Sequence, residues 1–417
     1  MNNERVVIVG AGHAGAQLCA SLRQHGWLGE ILLVGDEPSL PYQRPPLSKT
    51  YLGGTSTLAE LLIRKPDFYR KENVTFCHGR VAGINRETST VELADGQSLG
   101  YDHLVLSLGA RPRPLNVPGA ALAGVHYLRD AADIEAIRAD VATTRHAVII
   151  GAGYIGLETA ASLRKLNVTV SVIEVADRVL QRVTAPEVSE FYYRVHREEG
   201  VDIRLGSGVT ALTGSGRVSG VQLSTGESIA AELVIAGIGV VPNVELAAEA
   251  GLAIDNGVVI DSCGRTSDPA IFAAGDCANY FDSRYGRRLR LESVANAMEQ
   301  AKSVAAAICG EDKEIAALPW FWSDQYDLKL QIAGLNTGYD EIVIRGAPST
   351  DRDFACFYFA DGRLIAADCV NRAQEFMFSK RAIAEGLSPD RALLADSATP
   401  LKSLLSSAPV AGSPSGR

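Results

Sequence analysis

The sequence predicts an α/β fold in which two similar domains precede a C-terminal α+β domain. An apolar strand, a glycine-rich turn, a helix and a second strand that ends in an acidic residue follow one another twice along the chain. The copies begin at Arg5 and His146, and so large an offset indicates two similar domains rather than a short repeat. From residue 318 onward, strand patterns are followed by helical patterns, which is typical of an α+β module.

The first copy has the GxGxxG form of a Rossmann-like dinucleotide-binding domain, with Gly10, Gly12, Ala14 and Gly15 in its turn. In this pattern the first glycine makes the tight turn, the second admits a pyrophosphate, and the third lets the helix pack on the strand. The pyrophosphate then lies on the helix N-terminus. Asp36, at the end of the next strand, is the acid expected to accept hydrogen bonds from a ribose hydroxyl.

The second copy repeats this arrangement with Gly151, Gly153 and Gly156, and with Glu174 at the end of its second strand. A single GxGxxG pattern also fits a glycine turn that serves packing alone. Here each copy follows an apolar strand, opens a helix and reaches an acid, so the pair predicts two dinucleotide sites.

Glu174 also bears on the choice of nicotinamide. A 2′-phosphate beside a carboxylate is repelled, and NADP sites prefer an arginine there. This favours NADH, although Arg178 and Arg182 are close in the sequence and leave NADPH as the alternative.

The composition argues against several classes of function. The net charge is −9 and the pI is about 5.4, which disfavours nucleic acid as the main partner. No apolar run reaches the roughly 18 residues of a membrane span, and the early first strand leaves no room for a targeting segment, so we expect a cytoplasmic protein. The seven cysteines have no CxxC spacing and the seven histidines no HxxxH spacing, so we expect neither a disulfide framework nor a metal site.

The segment that ends in Gly275-Asp276 resembles the second motif of flavoproteins with two dinucleotides, in which the aspartate binds the ribityl chain of FAD. The alternative is an ordinary turn. The resemblance implies that the N-terminal site takes FAD and the inserted site takes the nicotinamide. The predicted domains are an FAD-binding domain of residues 1–109 and 241–317, an NADH-binding domain of residues 110–240, an α+β domain of residues 318–405 and a disordered tail of residues 406–417.

The route by which electrons leave is predicted from a missing cysteine. Flavoproteins similar to glutathione reductase pass electrons to a cysteine pair, and their peroxidase-like relatives use one cysteine after the first glycine motif. Residues 40–49 contain no cysteine, and Cys77 lies too far along the chain, where a buried structural thiol is its expected role. We therefore expect the flavin to release electrons directly, one at a time, to an external protein.

Several longer motifs make the resemblance specific: Arg44–Lys49, Gly109–Pro114, Gly153–Glu158, Arg182–Pro186, Ala236–Gly239, Glu292–Val294 and Trp320–Tyr326. Over almost its whole length the sequence resembles the NADH-dependent ferredoxin reductases that serve cytochrome P450 and Rieske oxygenase systems. The resemblance implies a glutathione-reductase-like fold with an α+β C-terminal domain, FAD and NADH as cofactors, and a [2Fe-2S] ferredoxin as partner.

The resemblance also implies roles for individual residues. Lys49 lies beside the flavin ring and pairs with Glu158; the alternatives are a solvated lysine and an acid favoured at a helix start. Trp322 lies near the flavin, toward the ferredoxin, and a core tryptophan without an electronic role is its alternative. Arg129 contacts FAD, or else is a surface arginine. The other implied contacts are Val81, Asp276 and Val294 with FAD, and Ile155, Gly156 and Gly237 with NADH.

Two other functions remain open beside a ferredoxin reductase. One is a reductase for rubredoxin or a small quinone, and the other is a binding flavoprotein similar to apoptosis-inducing factor. Docking of an acidic ferredoxin predicts a basic patch, whereas a mainly apolar contact around Trp322 is the alternative. The candidates for the patch are Arg64, Lys65, Arg70, Lys71, the run Arg284 to Arg290 with Arg287 and Arg288, Lys302 and Lys329.

Overall fold

A computed structural model describes residues 4–407, and the contacts between residues divide this chain into two compact units. Unit 1 contains residues 4–44, Ser56–Arg111 and Val240–Ala317. Unit 2 contains Pro45–Thr55, Pro112–Gly239 and residues 318–407.

The secondary structure alternates strands and helices through most of the chain. The strands of residues 4–407 are β1 (Arg5–Val9), β2 (Glu30–Gly35), β3 (Val74–His78), β4 (Val81–Asn85), β5 (Thr90–Leu93), β6 (Ser98–Gly100), β7 (His103–Leu106), β8 (Ala110–Pro112), β9 (Val125–Tyr127), β10 (His146–Ile150), β11 (Thr169–Ile173), β12 (Asp202–Arg204), β13 (Val209–Ser215), β14 (Arg217–Leu223), β15 (Ser228–Ala230), β16 (Leu233–Ala236), β17 (Val240–Pro242), β18 (Val258–Ile260), β19 (Ile271–Ala273), β20 (Ala278–Asp282), β21 (Arg287–Leu289), β22 (Trp320–Gln325), β23 (Leu328–Gly334), β24 (Glu341–Gly346), β25 (Phe354–Ala360) and β26 (Arg363–Val370). The helices are α1 (His13–Gln24), α2 (Leu58–Leu61), α3 (Pro66–Lys71), α4 (Ala131–Val141), α5 (Tyr154–Lys165), α6 (Pro186–Glu198), α7 (Glu245–Glu249), α8 (Val294–Ile308), α9 (Ala373–Ala384), α10 (Arg391–Ala395) and α11 (Leu401–Ser407), and a 3₁₀ turn spans Pro45–Ser48.

Unit 1 is built on a parallel sheet with the strand order β19-β7-β1-β2-β3. Its strands are almost wholly apolar, as expected for parallel strands that are covered on both faces. Helix α1 follows β1 and packs against α8, and side chains such as Ile8, Leu18, Leu33 and Val304 form one buried core. Two smaller sheets, β4-β5-β6 and β18-β20-β21, complete the unit.

Unit 2 contains a second parallel sheet, with the strand order β12-β11-β10-β16-β9. Helix α5 follows β10 as α1 follows β1, so the sequence repeat corresponds to a structural repeat. The antiparallel sheet β13-β14-β15 packs beside it, and Val148, Val221 and Val234 share one core.

The C-terminal part of unit 2 is an antiparallel sheet with the order β22-β23-β26-β25-β24, followed by α9, α10 and α11. This confirms the predicted fold class, two Rossmann-like domains with a C-terminal α+β domain. Strand β22 carries three aromatic residues at its start, and the sequence analysis did not assign it as a strand. Among residues 4–407, no helix is both long and apolar enough to cross a membrane.

Two segments differ from their predicted assignments. Pro45–Thr55 was predicted within the first domain, but its contacts place it in unit 2, where the hydroxyl of Ser162 on α5 donates to the carbonyl of Ser48 at 2.6 Å. The tail predicted as disordered began at residue 406, but α11 continues to Ser407. Residues 408–417, the rest of that tail, lie outside the described residues.

Asp368 on β26 is a carboxyl group buried inside the C-terminal sheet. The hydroxyl of Tyr358 on the neighbouring strand β25 donates to its Oδ2 at 2.6 Å. Burial disfavours the charged form and raises the pKa of Asp368 to about 7, although the hydrogen bond from Tyr358 acts in the opposite direction. The folded chain therefore keeps a proton on this carboxyl at pH values where an exposed aspartate has lost it.

We expect Asp368→Asn to remove one source of pH dependence from the stability. An ordinary aspartate in the unfolded chain ionises near pH 3.8, whereas the native pKa is about 7. Between these values the native state binds more protons, so this carboxyl makes wild-type stability fall as pH rises, by up to about 1.4 kcal/mol per pH unit. Above about pH 7 its contribution is constant. Urea unfolding of both proteins from pH 4 to 8 measures the difference, and parallel curves would contradict the prediction.

Candidate active site

The glycine turn after β1 is shaped by close backbone contacts within unit 1. Gly10 has a φ of +112°, and a Cβ atom there would lie 2.1 Å from the carbonyl oxygen of Ser107. A Cβ on Gly15 would lie 2.2 Å from the carbonyl oxygen of Gly10. By contrast, among the described residues no atom lies within 4 Å of a Cβ built on Gly12. The first and third glycines are therefore required by the fold, and the second faces open space.

The turn after β10 has the same geometry within unit 2. Gly151 has a φ of +106°, and its Cβ would lie 2.4 Å from the carbonyl oxygen of Gly237. A Cβ on Gly156 would lie 2.1 Å from the carbonyl oxygen of Gly151. For Gly153, no atom of the described chain lies within 4 Å of the Cβ position. Gly237, predicted on the nicotinamide side, thus helps to form the turn itself.

These turns fit the pyrophosphate of a dinucleotide. Helices α1 and α5 begin directly after Gly12 and Gly153, which are the N-cap residues and carry no side chain that could cap the helix. The first N–H groups of a helix lack partners within the helix, so they can bind an anion that approaches across the open glycine. Ile155, in the first turn of α5, is 45% exposed, consistent with an accessible helix start.

The predicted ribose acids follow the second strand of each sheet. Asp36 is exposed directly after β2. Glu174 follows β11, and its two carboxylate oxygens accept hydrogen bonds from the backbone N–H groups of Ala152 at 2.7 Å and Ala176 at 2.9 Å. Because Ala152 lies between the first two glycines of the second turn, these bonds hold the carboxylate beside that turn.

Two of the three arginines near Glu174, Arg178 and Arg204, have other partners. Arg178 donates to the carbonyl oxygens of Thr184 and Gln181 and to the hydroxyl of Ser189. Arg204 on β12 forms ion pairs with Asp202 and Glu227. Arg182 is exposed, with its guanidinium near Gly239. Of the two arginines that left NADPH open, Arg178 is therefore engaged by carbonyls of its own loop and by Ser189 on α6, whereas Arg182 remains exposed.

Gly275 and Asp276 lie in unit 1, one residue after the end of β19. Gly275 has a φ of +85°, and its Cβ position is 3.5 Å from the Cβ of Ala14 in the first glycine turn. Its backbone N–H donates to Oε1 of Gln300 at 2.7 Å. The second motif thus lies against the first, although the two are far apart in sequence.

Gln300 was missed by the sequence analysis. It is fully buried on α8, and a polar residue among the alanines and valines of an apolar helix face was the available signal. Val294 is the first residue of the same helix, and Val81 is the buried first residue of β4. Arg129 lies in unit 2, where its backbone N–H donates to Asp133 at 2.8 Å.

Lys49 and Glu158 form an ion pair within unit 2, as the resemblance implied. The Lys49 Nζ lies 2.6 Å from Oε2 of Glu158, and the two side chains are 17% and 6% exposed. Lys49 also donates to the carbonyl oxygen of Pro45 at 3.1 Å. The short turn Pro45–Ser48 and helix α5 therefore hold the ammonium group in one place.

Two serines that the sequence analysis missed complete the surroundings of Glu158. The hydroxyl of Ser48 donates to Oε2 and the hydroxyl of Ser323 donates to Oε1, each at 2.6 Å. Both serines stand inside motifs that carried the resemblance, but serine is common on surfaces and nothing in the sequence marks these two as buried. The buried carboxylate thus has a charge partner and a hydrogen bond on each oxygen, as its desolvation requires.

Trp322 lies on β22 next to Ser323, and its side chain belongs to the other face of the strand. Its ring stacks on Trp320, with centroids 5.4 Å apart. The ammonium of Lys380 on α9 lies 5.0 Å from the Trp320 ring. Both tryptophans are half-buried, so Trp322 belongs to a partly exposed aromatic pair.

Several other predicted residues have ordinary structural surroundings. Cys77 is half-buried in β3, so its prediction as a buried thiol was wrong. Among the basic candidates, Arg70 pairs with Asp67, Lys302 pairs with Glu299, and Arg288 donates to backbone carbonyls. Within residues 4–407, no group of histidine, cysteine or acidic side chains could hold a metal ion.

Two glycine turns of this form, each on its own parallel sheet, define an α/β protein with two dinucleotide-binding domains. The family model described as pyridine nucleotide-disulphide oxidoreductase matches residues 4–301, and the reductase C-terminal model matches residues 320–405. The chain belongs to the pyridine nucleotide-disulphide oxidoreductase family.

The relatives cover nearly the whole chain. Putidaredoxin reductase CamA from Pseudomonas putida is 47% identical, over 97% of this chain and 98% of its own. A ferredoxin–NAD(P)(+) reductase from a Sphingomonas species is 44% identical, over 97% and 98%. A crystal structure of the covalent putidaredoxin reductase–putidaredoxin complex matches with a TM-score of 0.94 and 46% identity, over 97% of this chain and 99% of that chain. These matches confirm the resemblance inferred from the sequence motifs.

We expect the first two glycines of unit 1 to respond differently to alanine. Gly12→Ala, at an ordinary φ of −98°, places a methyl group in open space and leaves the fold intact, but it obstructs the predicted pyrophosphate. Gly10→Ala forces a backbone contact at positive φ and costs about 1–3 kcal/mol of stability. The measurements are flavin absorbance per protein and thermal unfolding of the apoproteins. Equal unfolding temperatures for both variants, or full flavin content in Gly12→Ala, would contradict this.

Proposed function

We propose that this chain is an FAD-dependent oxidoreductase that takes a hydride from NADH and passes electrons singly to a [2Fe-2S] ferredoxin of a cytochrome P450 or related oxygenase system. The observation that carries the proposal is similarity over nearly the entire chain to ferredoxin reductases. The seven cysteines are free thiols, which fits a reducing compartment and the cytoplasmic location that we propose.

The two glycine turns are proposed to bind different dinucleotides. FAD goes to the turn of Gly10–Gly15, because Gly275 of the second flavoprotein motif lies beside Ala14 there. NADH goes to the turn of Gly151–Gly156. The proposed domains are residues 1–109 and 241–317 for FAD, without the Pro45–Thr55 segment that belongs to unit 2, residues 110–240 for NADH and residues 318–405 as the C-terminal domain.

Lys49 and Glu158 are proposed to serve the reaction by fixing a charge. When bound, FAD accepts two electrons with a hydride and can release them one at a time. A fixed ammonium group favours added negative charge on such a cofactor, and it costs no reorganisation during the reaction. Glu158 and the Pro45 carbonyl hold Lys49 in that one position, and the hydroxyl of Ser48 donates to Glu158.

Glu174 is proposed to select NADH. Its carboxylate is held by two backbone N–H groups and keeps lone pairs for a ribose hydroxyl. The neighbouring Arg178 and Arg204 are committed to other partners, so a 2′-phosphate would meet a carboxylate whose charge they do not offset.

Ferredoxin docking is proposed near Trp322. The stacked rings of Trp320 and Trp322 are only half-buried, so a partner protein can contact them. Electrons leave without a thiol relay, since residues 40–49, where the related enzymes carry such a cysteine, contain none. Two of the basic candidates, Arg70 and Lys302, already pair with acids of their own unit, which favours the contact around Trp322 over a basic patch at those two residues.

We expect Glu174→Arg to move the preference of the enzyme from NADH toward NADPH. The change removes the ribose acceptor and adds a cation for the 2′-phosphate. The ratio of kcat/KM for NADPH to that for NADH is expected to rise about tenfold, which corresponds to about 1.4 kcal/mol of differential binding. Glu174→Gln serves as the control that removes charge alone. An unchanged ratio in the arginine variant would refute the role of Glu174.

We expect NADH-dependent cytochrome c reduction to depend strongly on an added [2Fe-2S] ferredoxin. The ferredoxin accepts single electrons and carries them to cytochrome c, so the rate rises with its concentration and saturates. Rubredoxin and a small quinone are tested in parallel as the alternative acceptors. Higher turnover with either of these would replace the proposed partner, and failure of every acceptor would favour a binding role.

A further inference from the structure

A chain of buried polar side chains continues inward from the Lys49–Glu158 pair. The hydroxyl of Ser323 donates to Oε1 of Glu158 at 2.6 Å. In turn, Ser323 accepts a hydrogen bond from Nε2 of Gln325 at 3.1 Å. Ser323 and Gln325 are fully or almost fully buried, so their hydrogen bonds are made inside the protein.

This series of hydrogen-bonded side chains extends to helix α6 and then to Tyr326, just after β22. Oε1 of Gln325 lies 2.8 Å from Nε2 of His196, which is fully buried in the last turn of α6. Nδ1 of the same ring lies 3.0 Å from the hydroxyl of Tyr326. Tyr326 follows β22 with a φ of +56°, and its ring meets that of His196 edge-on.

The chemistry of these groups fixes the direction of every bond. The carbonyl oxygen of Gln325 can only accept, so Nε2 of His196 carries the proton and Nδ1 accepts from Tyr326. The imidazole is neutral, because burial lowers the pKa of His196 to about 4. The donors at Tyr326, His196, Gln325 and Ser323 therefore all point toward the carboxylate.

The opposite arrangement is disfavoured by the charge of Glu158. If the Gln325 amide were turned around, its oxygen would face Ser323 and draw the hydroxyl proton away from Glu158. The buried carboxylate would then lose the donor on Oε1, at the cost of an unpaired buried charge. The carboxylate of Glu158 thus favours one orientation of the Gln325 amide, and that orientation fixes the tautomer of His196.

The side chains of β22 alternate between its two faces, and this alternation brings the hydrogen-bonded residues together. Phe321, Ser323 and Gln325 occupy alternate positions and share one face of the strand. That face meets α5 and α6: Phe321 contacts the ring of Tyr154, Ser323 reaches Glu158, and Gln325 reaches His196.

We infer that Ser323, Gln325 and His196 are positioning residues that hold the Glu158 side chain in place, and through it fix the ammonium of Lys49 for flavin reduction. The inference rests on the proposed function, because it assumes that Lys49 acts on the flavin. These hydrogen bonds do not conduct protons, since the amide of Gln325 donates hydrogen bonds but does not ionise at ordinary pH. Their effect is electrostatic and geometric.

The test is a double-mutant cycle on the FAD-loaded full chain. We expect Ser323→Ala to slow flavin reduction by NADH about tenfold, because it removes a hydrogen bond to a buried charge. The same variant is expected to shift the midpoint potential of the flavin in the same direction as Lys49→Met does. Because the serine acts through the lysine, Ser323→Ala adds no further effect in the Lys49→Met background. His196→Phe gives a smaller loss, and His196→Gln, which retains a donor, restores the rate.

The matched control is Ser379→Ala, which removes another fully buried hydroxyl of unit 2, one that donates to the backbone carbonyl of Glu375. It is expected to lower the unfolding temperature without changing rate or potential. If Ser323→Ala does not yield FAD-loaded protein, Gln325→Met carries the same cycle one bond further away.

The outcomes separate this inference from the proposed function. A wild-type rate and potential in Ser323→Ala, or losses that add in the double variant, overturn the inference while the role of Lys49 stands. A wild-type rate and potential in Lys49→Met overturn the flavin role of Lys49, and the inference falls with it. Non-additive losses of rate and potential in the Ser323 and Lys49 variants, with no such loss in Ser379→Ala, support both the inference and the flavin role of Lys49.

Discussion

The need to compensate a buried negative charge organises the centre of unit 2. The Glu158 side chain is only 6% exposed, and an isolated carboxylate there would be strongly destabilising. Lys49 supplies the opposite charge, and Ser48 and Ser323 supply the donors. Ser48 ends the Pro45–Ser48 turn, Lys49 follows it directly, and Ser323 lies on β22. The requirement therefore brings two distant parts of the chain onto helix α5.

The glycine turns could be predicted from the sequence because their cause is local. The local motif alone, three glycines between a strand and a helix, determines the backbone contacts of Gly10 and Gly15. The same holds for the second copy of the motif. Gly275 was placed through its resemblance to a known motif. The amide of Gln300 that holds it could not be predicted, because its position depends on how α8 packs in unit 1.

Long-range side-chain partners were the part that sequence reasoning could not supply. Gln325 and His196 are far apart in sequence, and no spacing rule connects a strand in the C-terminal sheet to a helix that follows β11. The aromatic start of β22 also concealed its alternation, since Trp320, Phe321 and Trp322 are all apolar although they divide between two faces. Pro45–Thr55 was assigned by sequence proximity, whereas its contacts with α5 decide its place.

Each glycine turn is closed by an element of its own unit: Ser107 closes the turn of Gly10, and Gly237 closes that of Gly151. Neither turn borrows a backbone contact from the other for its shape. Substitutions around one turn can therefore accumulate while the other turn retains its backbone geometry. In evolutionary terms, the two turns can diverge from one another one at a time, because each keeps the contact that closes it within its own unit.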